Sequence, residues 1–117
     1  MFEKMMARTF IELPEFSKNW KSLGLNDEDL RRLQRMLMES PEAFPIVEGT
    51  GGLRKARFAF AGKGKSGSVR VCYVDFVFSN EIYLITAYEK SKKENLSQRE
   101  KNMIKSQIQL LKKHLVS

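Results

Sequence analysis

The stretch GGLRKARFAFAGKGKSGSVR, residues 51–70, contains six basic residues and no acidic one. Its segment LRKARFAF alternates in steps of two residues, which predicts a β-strand. Lys55 and Arg57 would lie on one face of that strand, and Ala56 and Phe58 on the other. The strand therefore has a cationic face and an apolar face. Positive charge held in place in this way is what a polyanion with phosphate groups requires.

The net charge of the chain is concentrated in this stretch. The 117 residues include 21 Lys and Arg against 14 Asp and Glu, a formal charge of +7. Outside residues 51–70, basic and acidic residues nearly balance. Such a charge suggests nucleic acid, an anionic membrane surface or an acidic protein as partner. Length and a hydrophobic content of 42% predict one globular domain, residues 1–117, with a single core.

Several classes of protein are excluded by simple features of the sequence. No apolar run approaches the roughly 20 residues that span a bilayer, and the N-terminal MFEKMMARTF lacks the apolar core of a signal peptide. We therefore expect a cytoplasmic protein with no membrane partner. Cys72 is the single cysteine, and its place within VRVCYVDFV predicts a buried strand residue. One Cys, one His and no paired acidic cluster predict neither a metal nor a cofactor.

Periodic apolar residues predict three helices. Pro14 suits the first turn of one helix, and a cap at Asn26 begins a second helix that stops before Pro41. These two form an N-terminal helical hairpin with an apolar stripe. Ser97 and Glu100 have the spacing of a capping box, which predicts the start of a C-terminal helix.

Four strand-like segments accompany these helices, at residues 6–11, 53–61, 68–78 and 81–88. The links between the last three segments are too short for a crossover helix, so they should form an antiparallel meander. We therefore predict an α+β fold, with an antiparallel sheet of about four strands packed by the helical hairpin and the C-terminal helix.

The loop GKGKSG, residues 62–67, is similar to a phosphate-binding P-loop. A P-loop needs an earlier glycine, where this chain has Ala59, and a helix directly after it, where this chain has a strand. We therefore reject a nucleotide-binding P-loop. Lys63 and Lys65 remain as phosphate contacts of a flexible loop, and a plain solvated turn is an equal alternative.

The strand after this loop begins near Arg70, which pairs across the hairpin with the end of the Lys55 and Arg57 strand. All three cations could meet on one surface and clamp a phosphate. Tyr88 and Lys90 close the last strand, and an aromatic side chain beside cations suits the stacking of an unpaired base. Taken alone, Tyr88 is equally compatible with the edge of the core.

Together these segments resemble the RelE/HigB superfamily of toxins from bacterial type II toxin–antitoxin modules. The resemblance covers nearly the whole chain and rests on G-L-R-K-x-R, G-K-G-K-S-G-x-x-R and Y-x-K-x-x-K-x-x-L-S, which look like the HigB branch. It implies a RelE-like fold and a ribosome-dependent endoribonuclease that cuts mRNA in the ribosomal A site. It also implies silencing by a cognate antitoxin, which we expect to be a helix-turn-helix DNA-binding protein.

The same resemblance implies roles for individual residues. The catalytic groups would be Lys55, Arg57, Arg70, Tyr88 and Lys90. The RNA-binding groups would be Arg54, Lys63, Lys65 and Lys93. In the implied metal-independent mechanism, the 2′-hydroxyl of the RNA attacks the adjacent phosphate and leaves a 2′,3′-cyclic phosphate. Lys55 or Arg57 would assist deprotonation, and Lys55 is the first choice because arginine is a poor base. Arg70 would stabilise the transition state, Lys90 would aid the leaving 5′-oxygen and Tyr88 would stack a base.

Two alternatives from other classes stay open. One is a related toxin of the ParE branch, which acts on a protein target such as gyrase. The other is a non-catalytic RNA- or DNA-binding module that uses the same cations. The dense basic face and the pairing of Tyr88 with Lys90 favour RNA, with the ribosome and mRNA as partners.

Overall fold

Four strands and three helices make up residues 8–59 and 68–116, the part of the protein that the computed structural model describes. In chain order they are β1 (Thr9–Glu12), α1 (Pro14–Ser22), α2 (Asp27–Glu39), β2 (Arg54–Ala59), β3 (Ser68–Phe76), β4 (Glu81–Glu89) and α3 (Gln98–Val116). A 3₁₀ turn at Val77–Ser79 joins β3 to β4. The α+β class is confirmed, whereas the loop with Lys63 and Lys65 lies outside the described residues.

The sheet is mixed, and this corrects the purely antiparallel arrangement expected from the sequence. Its strand order is β1-β4-β3-β2. The pairs β2–β3 and β3–β4 are antiparallel, so the predicted meander is confirmed. The first strand, however, runs parallel to β4, with Thr9 beside Glu81 and Glu12 beside Leu84.

The direction of β1 has a physical cause that short links cannot reveal. Between β1 and β4 lie the helical hairpin and two strands, so no tight turn sets their relative direction. The start of β1 is instead held by long-range contacts. Arg8 Nε lies 2.8 Å from Asp75 Oδ1 near the end of β3, and the Thr9 amide donates to the Asn80 carbonyl at 2.8 Å. Both contacts bring the start of β1 beside the start of β4.

Apolar side chains cover both faces of the sheet. The face toward α1 and α2 holds Phe16, Trp20, Leu33, Leu37 and Phe58 together with residues of β3 and β4. The opposite face, toward α3, is covered by Ile104 and Ile108. The third strand is buried on both sides, with Val69, Val71 and Tyr73 toward the hairpin and Cys72, Val74 and Phe76 toward α3.

The helix starts agree with the capping residues in the sequence. Asn26 Oδ1 accepts from the Asp29 amide, and Asp29 Oδ2 accepts from the Asn26 amide, both at 2.9 Å. At α3 the Glu100 amide donates to Ser97 Oγ at 3.1 Å, while Glu100 Oε1 accepts from the Ser97 amide at 2.8 Å. Reciprocal bonds of this kind satisfy two amides that a helix start would otherwise leave unpaired.

The C-terminal helix α3 is amphipathic. Ile104 and Ile108 are buried against the sheet, and Leu111 and Leu115 pack beside them. Met103 on the same helix is 59% exposed. None of the helices in the described part of the chain combines the length and apolar character needed to cross a bilayer.

We expect Phe58→Ala to lower the free energy of unfolding by about 3–5 kcal/mol, because it empties a fully buried site. The Phe58 ring is 1% exposed, with its centroid 5.4 Å from that of Trp20 and the Arg32 guanidinium 4.1 Å from its own centroid. Chemical denaturation followed by Trp20 fluorescence measures the loss. Phe78→Ala is the matched control, because it removes the same atoms from a ring that is 56% exposed. Equal losses for the two variants would contradict this account of the core.

Candidate active site

Strand register brings four of the five predicted catalytic residues into two adjacent rows. Arg57 lies opposite Arg70 across β2 and β3, and Arg70 lies opposite Tyr88 across β3 and β4. In the next row, Lys55 is opposite Cys72. Residues directly opposite each other in antiparallel strands point to the same face, and so do residues two positions apart on one strand. We call the surface formed by Lys55, Arg57 and Arg70 the cationic face.

The cationic face lies on the same side of the sheet as α3. Cys72 and Tyr88, which share its rows, both belong to the apolar cluster that includes Ile104 and Ile108. Cys72 is fully buried, and burial is the main cause that raises the pKa of its thiol to about 12. Cys72 is thus a buried strand residue, as its sequence context predicted, and its thiol is protonated at neutral pH.

Two of the three cations are held by neighbouring side chains. Lys55 is half-buried, and its Nζ donates to Asn95 Oδ1 at 3.3 Å. Arg70 is half-buried as well, and its Nη1 donates to Ser68 Oγ at 2.9 Å. Arg57 is exposed. A phosphate could therefore meet two oriented donors and one that adapts.

Tyr88 lies at the end of the first row with its ring covered. The residue is 9% exposed, and the Lys93 ammonium lies 5.6 Å from the ring centroid. Its buried hydroxyl has no hydrogen bond to any described residue. Burial raises the pKa of this phenol to about 12, helped by Cys72 and Glu100 and opposed by Arg70. At neutral pH the hydroxyl is therefore protonated and able to donate.

Lys93 is held in place by the first turn of α3. Its ammonium forms an ion pair with Glu100 Oε2, while the other carboxylate oxygen of Glu100 makes the capping bond to Ser97. Burial alone would raise the pKa of Glu100, but the hydrogen bonds from Lys93 and Ser97 lower it below its ordinary value. Glu100 is therefore ionised at neutral pH and places Lys93 over Tyr88.

Of the remaining predicted site residues, Arg54 and Lys90 are the two that lie in the described part of the chain. Arg54 Nη1 donates to the carbonyls of Glu42 and Phe44 at 3.1 and 2.7 Å, so its side chain supports the connector before β2. Lys90 is exposed in the turn after β4. In the described part of the chain, no group of three or more His, Cys, Asp or Glu residues is arranged to hold a metal ion.

The comparison with known families agrees with these features. A family model described as the RelE toxin of the RelE/RelB toxin–antitoxin system matches residues 8–115. This chain belongs to the RelE toxin family. The predicted superfamily is thus confirmed, and the HigB branch stays a prediction.

Two solved structures of RelE proteins are similar to this toxin. One is a mutant of the E. coli toxin RelE in the free state, with 19% sequence identity and a TM-score of 0.53 over 76% of this chain and 90% of that chain. The other is the intact E. coli RelBE toxin–antitoxin complex, with 18% identity and a TM-score of 0.48 over 68% of this chain and 92% of that chain. At this identity the first likeness supports the RelE fold alone.

Sequence reasoning missed two residues that contact the lysines of this toxin. Asn95 lies 40 positions from Lys55, and no local pattern predicts their hydrogen bond. The spacing of Glu100 from Ser97 predicted the capping bond of Glu100 Oε1. It did not predict the contact of Oε2 with Lys93. Only the folded arrangement of β4, α3 and the turn between them brings these groups to the cationic face.

The ion pair of Glu100 gives a testable pH dependence. Because the folded-state pKa of Glu100 lies below its ordinary value of 4.5, its stabilisation is present above that value and is lost as pH falls through the lowered pKa. Glu100→Gln keeps a capping side chain and removes the charge. We expect this variant to be slightly less stable than the wild type at neutral pH, since the pair is about one-third exposed.

Urea denaturation at a series of pH values measures this difference in stability. The difference between wild type and Glu100→Gln should shrink as pH falls below the ordinary pKa of the carboxyl group. Glu94→Gln, an exposed carboxylate in the same turn, is the matched control. A difference that stays constant into acid would show that the charge of Glu100 is not its cause.

Proposed function

We propose that this RelE-family toxin is a ribosome-dependent, metal-independent endoribonuclease that cleaves mRNA and so inhibits translation. The observation that supports it most is the register that sets Arg57, Arg70 and Tyr88 side by side across three strands. Lys55 occupies the next row of the same face. Several cations on neighbouring strands suit a reaction in which negative charge builds up on one phosphate.

In this proposal the RNA supplies its own nucleophile. The 2′-oxygen attacks the adjacent phosphorus, the bond from phosphorus to the 5′-oxygen breaks, and the products are a 2′,3′-cyclic phosphate and a 5′-hydroxyl. Lys55 accepts the proton of the 2′-hydroxyl or holds the phosphate with Arg57. Arg70 is on β3, between β2 and β4. It binds the non-bridging oxygens of the phosphate as their negative charge grows. Lys90 assists the departing 5′-oxygen.

Tyr88 requires a rearrangement for its proposed role. With the Lys93 ammonium over the ring, a base can stack on Tyr88 only when that ammonium moves aside. The lysine would then be free to follow the RNA backbone, which agrees with its expected part in RNA binding. The phenol pKa of about 12 leaves its proton in place, so Tyr88 acts as a donor rather than as a base.

The proposed partners are the ribosome, mRNA and a cognate antitoxin. The matching family is named for a toxin–antitoxin system, which supports the antitoxin. An antitoxin that covers Lys55, Arg57 and Arg70 should be acidic where it binds, because opposite potentials match at such interfaces. Its helix-turn-helix character stays a prediction.

The direct test is induced expression with mapping of mRNA 5′ ends. We expect translation to stop before viability falls, with new 5′ ends that depend on Lys55 and Arg70. Arrest without mRNA cleavage but with inhibited gyrase would favour the ParE-like alternative. Unimpaired growth with accumulated soluble protein would contradict a toxin that acts in this way.

We expect Lys55→Ala and Arg70→Ala to lower the saturated cleavage rate on programmed ribosomes by on the order of a hundredfold or more. The loss of one oriented charge contact in a transition state costs about 3 kcal/mol. Lys63→Ala and Lys65→Ala should mainly weaken association and reduce its salt dependence, since lost phosphate contacts release fewer counterions. Single-turnover rates at saturating enzyme separate rate from binding. Near wild-type saturated rates for both strand variants would place the active site elsewhere.

A further inference from the structure

A cavity of about 430 Å³ lies against Tyr88, at the edge of the sheet. The first strand pairs with β4 only as far as Leu84, so on that side the end of β4 has no neighbouring strand among the described residues. The end of α1 occupies that position, and the cavity lies between α1, the end of β4 and the turn that follows. Asn19, Glu89 and Lys93 line it together with Tyr88. Because Arg70 is the cross-strand neighbour of Tyr88, the cavity adjoins the cationic face.

A partly buried hydrogen-bond chain orients the amide of Asn19. Thr86 Oγ1 donates to Glu15 Oε2 at 2.8 Å, and Asn19 Nδ2 donates to Thr86 Oγ1 at 3.1 Å. A hydroxyl has one hydrogen and a carboxylate only accepts, so Thr86 must accept from Asn19. The amide orientation is thereby set by the network itself. Thr86 at the centre of this chain is 4% exposed, whereas Asn19 is half-buried and Glu15 is exposed.

The consequence is that the amide of Asn19, which lines the cavity, has one defined orientation. With Nδ2 of Asn19 bound to Thr86, Oδ1 is the atom of that amide left to accept a hydrogen bond. The wall also contains apolar groups of Leu23 and Ala87, against which a flat ring can pack. Amide and apolar groups of this kind are what proteins use to bind unpaired bases of RNA.

We propose that this cavity binds a nucleobase next to the cleaved phosphate and that Asn19 Oδ1 accepts a hydrogen bond from the amino group of that base. The proposal rests on the nuclease function above and adds the feature of the substrate that is recognised. Adenine, cytosine and guanine carry an exocyclic amino group, whereas uracil does not. A base without this donor leaves an oriented acceptor unpaired, so it binds less well.

The test removes the amino group from the RNA and the acceptor from the protein. At each position that flanks the cut, adenine is replaced by purine and guanine by hypoxanthine, which lack the amino group. The kcat/KM for cleavage of each mRNA is measured on programmed ribosomes. The wild-type protein should prefer the amino-bearing base by about tenfold at one position. In Asn19→Ala this preference should fall to about one. Lys18→Gln, an exposed neighbour on the same helix that does not line the cavity, should keep it.

Thr86→Val provides an independent variant. It leaves Asn19 in place but removes the hydroxyl that orients its amide, so either end of the amide can face the cavity and the preference should fall partway. Thermal unfolding checks that each variant is folded. Wild-type cleavage with no amino preference at any flanking position, or with a preference that survives Asn19→Ala, would overturn the proposal.

A binding measurement separates this inference from the nuclease function. Adenine is again compared with purine, and guanine with hypoxanthine, now in short single-stranded oligoribonucleotides. The affinity of the free protein for each oligoribonucleotide is measured by competition. If the wild type never cleaves but still prefers the amino-bearing base through Asn19, the nuclease function fails and the base site stands. If it neither cleaves nor discriminates in binding, both fail.

Discussion

The cationic face depends on the register of β3, which is buried on both sides. Val69, Val71 and Tyr73 pack toward the helical hairpin, and Cys72, Val74 and Phe76 pack toward α3. A slip by one residue would turn each of these side chains to the opposite face and place Arg70 in the core. The apolar core thus opposes such a slip and keeps Arg70 on the face that it shares with Arg57 and Tyr88. The position of the charges follows from packing and needs no attraction between them.

That register has an electrostatic cost. Like charges directly opposite each other on neighbouring strands are destabilising, and Arg57 and Arg70 are such a pair. The burial of β3 on both faces offsets this repulsion, because each fully buried Val or Phe contributes about 1.5–3 kcal/mol. A bound phosphate would remove the repulsion and gain two charge-assisted contacts. The unfavourable pair is therefore a local inconsistency of the kind that functional sites often contain.

The sequence predicts those parts of this site that depend on local spacing. Alternation in LRKARFAF places Lys55 and Arg57 on one face, and short links establish the antiparallel meander of β2, β3 and β4. Contacts between distant residues leave no such pattern. Three features depend instead on the packing of whole elements: the direction of β1, the hydrogen bond from Lys55 to Asn95, and the hydrogen bond from Asn19 to Thr86, which are 67 positions apart. Local periodicity can therefore identify which residues form the face but not which neighbours orient them.

Glu100 shows how one side chain connects the fold to this face. Its capping oxygen determines where α3 begins, and its other oxygen holds the Lys93 ammonium over Tyr88. The Tyr88 hydroxyl beneath has no hydrogen bond to a described residue, and a buried polar group in that condition costs about 1–3 kcal/mol. A ligand that moves Lys93 aside and accepts from this hydroxyl would recover that free energy on binding. Arg57, Arg70 and Tyr88 thus lie in one row. A bound nucleotide would neutralise the repulsion of the two arginines with its phosphate and would give the Tyr88 hydroxyl a hydrogen-bond acceptor.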